Sequence, residues 1–522
     1  MTARRHPILL ALLLAVATAV RLPMLGQSLW LDEVYSHHFA SHALDGFATM
    51  LAAEDVHPPV YYLALKAWML LGGSEVWMRM LSVLAGVGAV GLVYAAAWTI
   101  RGPGVALLAG SFAALNPQLV DLSQQARPHM LMGLFVAAAI YMLARIISSG
   151  EGRWWEWLLL GVFQGLALLT FYYSAFFVIG INLVLLVDAI RTLGRTVPPQ
   201  KLISSWLALP ALFMPWIPGF LSQASRVTAC GEGMRPGSLP TAAVETLLSL
   251  GPLRPFYLGL KVLRAPVLPE IAAALVVLII LLAVRGLRAR NDTTRLRWLA
   301  ALAGGIAALV VLAPVASWWR DVFFTARYFG YGHLLAALLG AEAVAILVRK
   351  PRWRAMVGGA LCLGLAMSLA AEGYRANEPW PEIAGFVDDR IDPGDLLIGF
   401  IFIPVCCAHY MDVPARVCIL PTDVPGAPPR EWGDYVRALT DEDRPHLERL
   451  FANYRRVVAV WAHTVRAGQE RGVDVAESVL LEMGFEVVEE RAYPQRGGVQ
   501  IRIFERVEDS TEAGDADVDL VN

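Results

Sequence analysis

Eleven apolar runs, near residues 6–22, 76–100, 104–120, 129–147, 154–171, 174–190, 202–219, 269–285, 298–316, 329–349 and 354–371, fill most of the first 371 positions of this chain. About 20 such residues in a helix cross a bilayer. Inside hydrocarbon a helix satisfies its own backbone polar groups, which an open loop or sheet edge does not. The expected fold is therefore mainly α, a polytopic transmembrane helical bundle of about 11 spans. Of the 522 residues 57% are hydrophobic and 17% charged, against about 45–50% and 25% in soluble domains. A net charge of -2 gives no reason to expect nucleic acid as a partner.

Basic residues set the orientation, because short cytoplasmic loops are enriched in Lys and Arg. Arg191, Arg195 and Lys201 mark one inner loop; Arg285, Arg288, Arg290, Arg295 and Arg297 mark another; Arg349, Lys350, Arg352 and Arg354 mark a third. Arg101, and Arg145 with Arg153, fit two earlier ones. Stretches 121–128, 220–268 and 317–328 then lie outside, as does everything after about 372. Parity forbids residues 58–71 from crossing. They read as a short interfacial or re-entrant helix begun by His57-Pro58-Pro59, proline being tolerated in a first turn. The first run follows Arg4-Arg5 and reaches Ala17-Thr18-Ala19, so it resembles a signal peptide. It is read as an uncleaved span, because the orientation needs an anchored start.

The character of the chain changes near Glu372. Residues 1–371 form the membrane domain. Residues 372–507 mix charged helices with strand-like runs such as Val457-Val458-Ala459-Val460 and Val499-Gln500-Ile501-Arg502-Ile503, which predicts a small extracytoplasmic α/β domain. The acidic stretch 508–522 lacks aromatics and reads as a disordered tail. In the outer loop 220–268, Thr241–Leu250 suits an amphipathic helix. Cys230, Cys362, Cys406, Cys407 and Cys418 show no metal-ligand spacing. One disulfide among the last three is conceivable outside the cell, and buried thiols are the plainer reading.

The first outer loop, about 23–75, carries Asp32-Glu33, His57 and Lys66. Two adjacent carboxylates this close to a bilayer are costly to keep, which points to a function. Here several motifs fall in one order: Leu29-Trp30-Leu31-Asp32-Glu33, His57-Pro58-Pro59-Val60-Tyr61-Tyr62, Arg79 with Ser82, Ser123-Gln124-Gln125-Ala126-Arg127-Pro128-His129, and Arg327-Tyr328. That order resembles the GT-C glycosyltransferases. The likeness is greatest to the bacterial family 39 group, related to protein O-mannosyltransferases and the lipid A aminoarabinose transferase, and it covers about 370 residues. Gln125 stands where that pattern usually has glutamate, and His129 where it usually has tyrosine.

The resemblance implies a polyprenyl-phosphate sugar as donor, an acidic residue of the first outer loop at the active site, and a lipid, glycan or protein as acceptor. Such a transfer needs a base for the acceptor hydroxyl and cations for the phosphate leaving group. Asp32 is assigned as the base and Glu33 as the group orienting the acceptor or a nearby cation; the competing reading is a helix N-terminal cap after Ser28. Arg327 can offer a planar fork of donors to phosphate, with Arg127 serving the same anion; the competing reading of Arg327 is snorkelling to headgroups. His57, Tyr61, Lys66, Arg79, Gln125 and Tyr328 complete the candidate substrate and phosphate site. Tyr172-Tyr173, Trp30, Trp318 and Trp319 read first as interfacial aromatics. Asp32, Glu33, His57 and Glu54 could form an oxygen-rich site for a divalent cation, without a fixed ligand spacing. The expected location is the cell membrane, multi-pass. The rival functions are a transporter or lipid flippase, which calls for mid-span charges and matching halves, and a membrane-anchored receptor or scaffold.

Overall fold

The computed structural model describes residues 6–226, 250, 292–320, 326–372, 377–400, 403–420, 439–462, 470–494 and 498–507. The expected span 269–285, nearly all of the helix expected at Thr241–Leu250, Arg285, Arg288, Arg290, Cys230 and the tail 508–522 lie outside the described residues. The chain forms two compact units, Met1–Gln27 with Tyr35–Arg375, and Ser28–Val34 with Ala376–Asn522.

The first unit is helical throughout: α1 (His6–Ala19), α2 (Leu31–Ser41, whose first turn belongs to the second unit), α3 (Phe47–Glu54), α4 (Val60–Met69), α5 (Glu75–Arg101), α6 (Pro103–Ala114), α7 (Pro117–Ser123), α8 (His129–Ser149), α9 (Trp154–Thr170), α10 (Ala175–Arg191), α11 (Pro199–Phe213), α12 (Ile217–Arg226), α13 (Thr293–Arg320), α14 (Gly330–Leu347) and α15 (Pro351–Glu372). Among the described residues seven helical stretches are long and apolar enough to cross a membrane, and α6 with α7, bent by 59°, makes an eighth. The shorter apolar helices α1 and α9 bring the helical runs to ten of the eleven expected. Residues 58–71 form α4, ten residues long and too short to cross.

Polar groups inside this bundle are placed by backbone demand. The break between α6 and α7 leaves the last carbonyls of α6 without helical partners. Buried Arg21 supplies donors to Ala114 O at 3.0 Å and Ala113 O at 3.5 Å, and its Nε donates to Ser123 Oγ at 3.0 Å. Asn116 caps α7 by accepting from Leu119 N at 3.1 Å. Arg101 at the end of α5 pairs with buried Glu342 of α14 at 2.9 Å. Helices α10 and α13 cross with backbones touching, since a Cβ on Gly180 would meet Gly304 O at 2.5 Å.

The second unit holds a five-stranded sheet of β1 (Leu396–Phe400), β2 (Arg416–Leu420), β3 (Arg456–Ala462), β4 (Phe485–Tyr493) and β5 (Val499–Arg506), in the order β2-β1-β3-β5-β4. β1 pairs in parallel with β2 and β3, and β5 runs antiparallel to β3 and β4. The fully buried β1 and nearly fully buried β3 form the core with α16 (Trp380–Asp388), α17 (Ile403–Tyr410), α18 (Arg444–Phe451) and α19 (Glu470–Glu482) around them. Cys406, Cys407 and Cys418 are buried, and no disulfide joins them.

Segment Ser28–Val34, read from the sequence as part of the membrane domain's loop, groups instead with this unit. Ser28 Oγ donates to Glu378 O, Asn377 Nδ2 donates to Ser28 O at 2.9 Å, and Tyr410 Oη accepts from Leu29 N at 2.6 Å.

Candidate active site

Helix α2 opens on Leu31-Asp32-Glu33, which puts both carboxylates in its first turn. Negative charge is favoured there by the helix dipole and by the unpaired first N–H groups. Glu33 is fully buried, and its Oε2 accepts from Trp30 N at 3.3 Å, so it closes one half of a capping box. Asp32, next to it, is half-buried. One turn later on α2, Ser36 Oγ accepts from Arg127 Nη1 at 3.4 Å.

Arg127 follows the short helix α7 and is 5% exposed. Its Nη2 lies 3.5 Å from His57 Nε2, and His57 Nδ1 lies 3.0 Å from Asp55 Oδ1. A guanidinium has only donors. Nε2 is therefore the acceptor, and Nδ1 carries the proton that goes to Asp55. The three side chains form one buried chain of contacts from Arg127 through His57 to Asp55. Burial pushes the Asp55 carboxyl up, but the electrostatic attraction and hydrogen bond of His57, the Tyr62 hydroxyl and the Val56 N–H outweigh it and hold it below the usual range. The Tyr62 hydroxyl is held well above its ordinary value by burial first and the Asp55 charge second.

Aromatic rings enclose these contacts. His57 stacks on Phe171 at 5.4 Å, His129 meets Phe171 edge-on at 4.9 Å, and Tyr328 packs against His129, Phe171 and Tyr173 at 5.8, 5.4 and 5.0 Å. Gln223 of α12 fixes the backbone, donating to His57 O at 3.0 Å and Leu51 O at 3.1 Å while accepting from Tyr172 Oη at 2.6 Å.

Of the residues expected at the site, His57, Arg127 and Tyr328 are gathered in this cluster. Tyr61 is buried beside Tyr62, their rings 5.5 Å apart. Gln125 donates to Asp121 Oδ2 at 3.1 Å. Lys66 donates to the carbonyls of Ala40 and His42 and so ties α4 to the end of α2. Arg79 is buried and donates to Leu25 O at 2.6 Å and Gln27 O at 2.5 Å, holding the turn before Ser28. Arg327 lies on the single turn Ala326–Phe329; its side chain is outside the described residues. Asp32 and Glu33 lie in the segment that groups with the second unit. Sequence reasoning passed over Asp55, Ser36, Phe171 and Gln223. Only Asp55 left a signal, its two-residue spacing from His57 ahead of Pro58-Pro59.

Among the described residues no group of three His, Cys, Asp or Glu side chains could hold a metal ion. Glu54 is exposed, and His57 is engaged by Asp55.

Residues 56–218 match the dolichyl-phosphate-mannose-protein mannosyltransferase family. Three solved structures share the architecture. ArnT from Cupriavidus metallidurans in the apo state aligns with a TM-score of 0.61 at 14% identity, over 96% of this chain and 98% of that one. ArnT bound to undecaprenyl phosphate aligns at 0.54 and 15%, over 94% and 97%. The oligosaccharyltransferase AglB from Archaeoglobus fulgidus, in complex with an inhibitory peptide and a dolichol-phosphate, aligns at 0.54 and 12%, over 95% and 74%. The fold is that of the GT-C glycosyltransferases. No curated protein sequence matches this chain.

Proposed function

We propose that this GT-C protein is an integral-membrane glycosyltransferase that moves a sugar from a polyprenyl phosphate to an acceptor on the extracytoplasmic face of the cell membrane, with the sheet domain on that same face. The observation that carries the reading is the shared fold over nearly the whole chain with a protein solved with undecaprenyl phosphate bound. The match of residues 56–218 to a lipid-phosphate-sugar family supports it independently.

In the proposed reaction Asp32 takes the proton of an acceptor hydroxyl. That oxygen bonds to the anomeric carbon, the bond from that carbon to the phosphate oxygen breaks, and polyprenyl phosphate leaves with the electron pair. Cationic donors lower the energy of the departing phosphate. Arg127 and Arg327 are assigned that role, with Tyr61 and Tyr328 lining the donor's path. The contact through His57 to Asp55 holds the Arg127 guanidinium in one orientation. Glu33 fixes the first turn of α2, from which Asp32 projects. Catalytic metal sites use about three protein ligands, and no such group of three stands among the described residues, so no step is assigned to a divalent cation.

The test is turnover by the purified, reconstituted chain with undecaprenyl-phosphate-linked sugars, read as free undecaprenyl phosphate. Asp32→Asn should abolish release while leaving expression and thermal unfolding unchanged. Normal release by Asp32→Asn rejects the base assignment, and no release by the unaltered protein with any donor rejects the function. Protease protection of the sheet domain in sealed vesicles tests its side separately.

A further inference from the structure

Helices α10 and α13 touch at Gly180 and Gly304 and are tied again at their basic ends, where Arg297 Nε donates to Asp188 Oδ2 at 2.7 Å. Between these two points, on the basic side of the crossing, a cavity of about 510 Å³ opens, closed behind by Leu339 and Ala343 of α14. Leu183 and Val187 line it and are 54% and 44% exposed, so it faces the lipid.

Its mouth is charged but not balanced. Arg297 is fully engaged, donating also to Gly150 O and Thr196 O, each at 3.2 Å, so it neutralises Asp188 and pins the rim. Arg191, at the last position of α10, also lines the cavity and is exposed. Among the described residues it has no hydrogen-bond or ion-pair partner. An apolar slot of ligand size, open sideways to the bilayer and ending at a guanidinium uncompensated among the described residues, matches one acyl chain of a phospholipid with a negatively charged headgroup. Basic pockets between membrane helices recognise such headgroups through their charge.

We infer that the groove between α10 and α13 is a binding site for one anionic phospholipid, one of its acyl chains against Leu183, Val187 and Ala300 and its phosphate on Arg191. The site is independent of the proposed transfer reaction and lies at the Arg-rich end of these helices.

Native mass spectrometry of the full chain, released from nanodiscs of phosphatidylcholine and phosphatidylglycerol in equal parts, tests it. The unaltered protein should retain phosphatidylglycerol in preference to phosphatidylcholine. Arg191→Ala should cut that preference roughly fivefold, the factor one basic residue contributes near an anionic surface. Arg195→Ala, an exposed arginine outside the groove, should leave it unchanged, and Ala300→Phe, which fills the slot, should lower retention of both lipids. Thermal unfolding of each variant shows that it is folded. Equal retention of the two lipids, or a preference untouched by Arg191→Ala, overturns the proposal. So does displacement of phosphatidylglycerol by stoichiometric undecaprenyl phosphate, which would give the groove to a different lipid.

Discussion

Gln125 Nε2 donates to Asp121 Oδ2 at 3.1 Å, four residues back. An amide there gives Asp121 a donor, where a glutamate would bring a second carboxylate. Gln125→Glu should lose one hydrogen bond, about 1 kcal/mol, and add repulsion between like charges. The deficit in unfolding midpoint should be larger at pH about 8 than at about 5, where one carboxyl of the pair can hold a proton and donate again. Thermal unfolding of the detergent-solubilised protein at both pH values measures it; an equal deficit at each would reject the pairing.

Asp55 sets the protonation pattern that lets His57 accept from Arg127. Asp55→Asn keeps the shape but removes the charge that holds Nδ1–H. Its expected cost in kcat/KM for the lipid-phosphate donor is on the order of 10- to 100-fold, the worth of one charge-assisted hydrogen bond. The loss should match that of His57→Ala, and the double variant should add little more, because both act through one guanidinium. Additive losses would show that the two residues work separately.

The same carboxyl has a defined acid limit. Its folded-state value lies below the ordinary range. Its contribution to stability is therefore fully present above the unfolded value near about 3.9 and is lost as pH falls through the lower folded one. Between neutral pH and about 5 the Asp55-dependent part of stability should be flat, with its decline confined to pH below about 4. Comparing the unfolding midpoints of the unaltered chain and Asp55→Asn across this range isolates that part. A difference that shrinks already between pH 7 and 5 would contradict the assigned direction.

Hydropathy and charge made the membrane helices legible, because the bilayer imposes their length and apolarity residue by residue. The short α4 followed from parity and its two leading prolines. Side-chain destinations did not follow. Lys66 and Arg79 have the charge to meet a phosphate, yet both turn back to backbone carbonyls, since long flexible stems let the charged head reach any nearby acceptor. Asp55 was obscured by Glu54, one position earlier; only the fold shows which of two adjacent acids turns inward. The grouping of Ser28 with the sheet domain rests on contacts about 350 residues away in sequence, such as Ser28 with Glu378. No local pattern encodes such a contact.

Arg101 and Glu342 pair at 2.9 Å with side chains 9% and 3% exposed. Removing one partner of a buried pair leaves the other charge uncompensated, at about 3–5 kcal/mol, while replacing both by apolar groups is often close to neutral. Glu342→Leu alone should therefore be severely destabilising, and Arg101→Leu with Glu342→Leu should regain most of the loss. Unfolding midpoints of the two single variants and the double variant give the coupling directly. A double variant as unstable as the sum of the singles would mean that each charge has its own separate partners.

Arg21 is another buried charge whose role is set by backbone geometry. Its donors meet Ala113 O and Ala114 O, where α6 ends and the chain bends by 59° into α7. A cation at a helix C-terminus is favoured by the dipole as well as by the orphan carbonyls. Arg21→Met should cost about 3 kcal/mol, since it strips donors from at least two buried carbonyls. Arg21→Lys should recover part of that, because one ammonium can reach one or two of the acceptors but has no fork to span Ser123 as well. Because α7 leads directly to Arg127, the Met variant should also lose donor affinity in excess of its stability loss when assayed well below its unfolding temperature. Full donor affinity in a folded Arg21→Met protein would confine Arg21 to holding the bend.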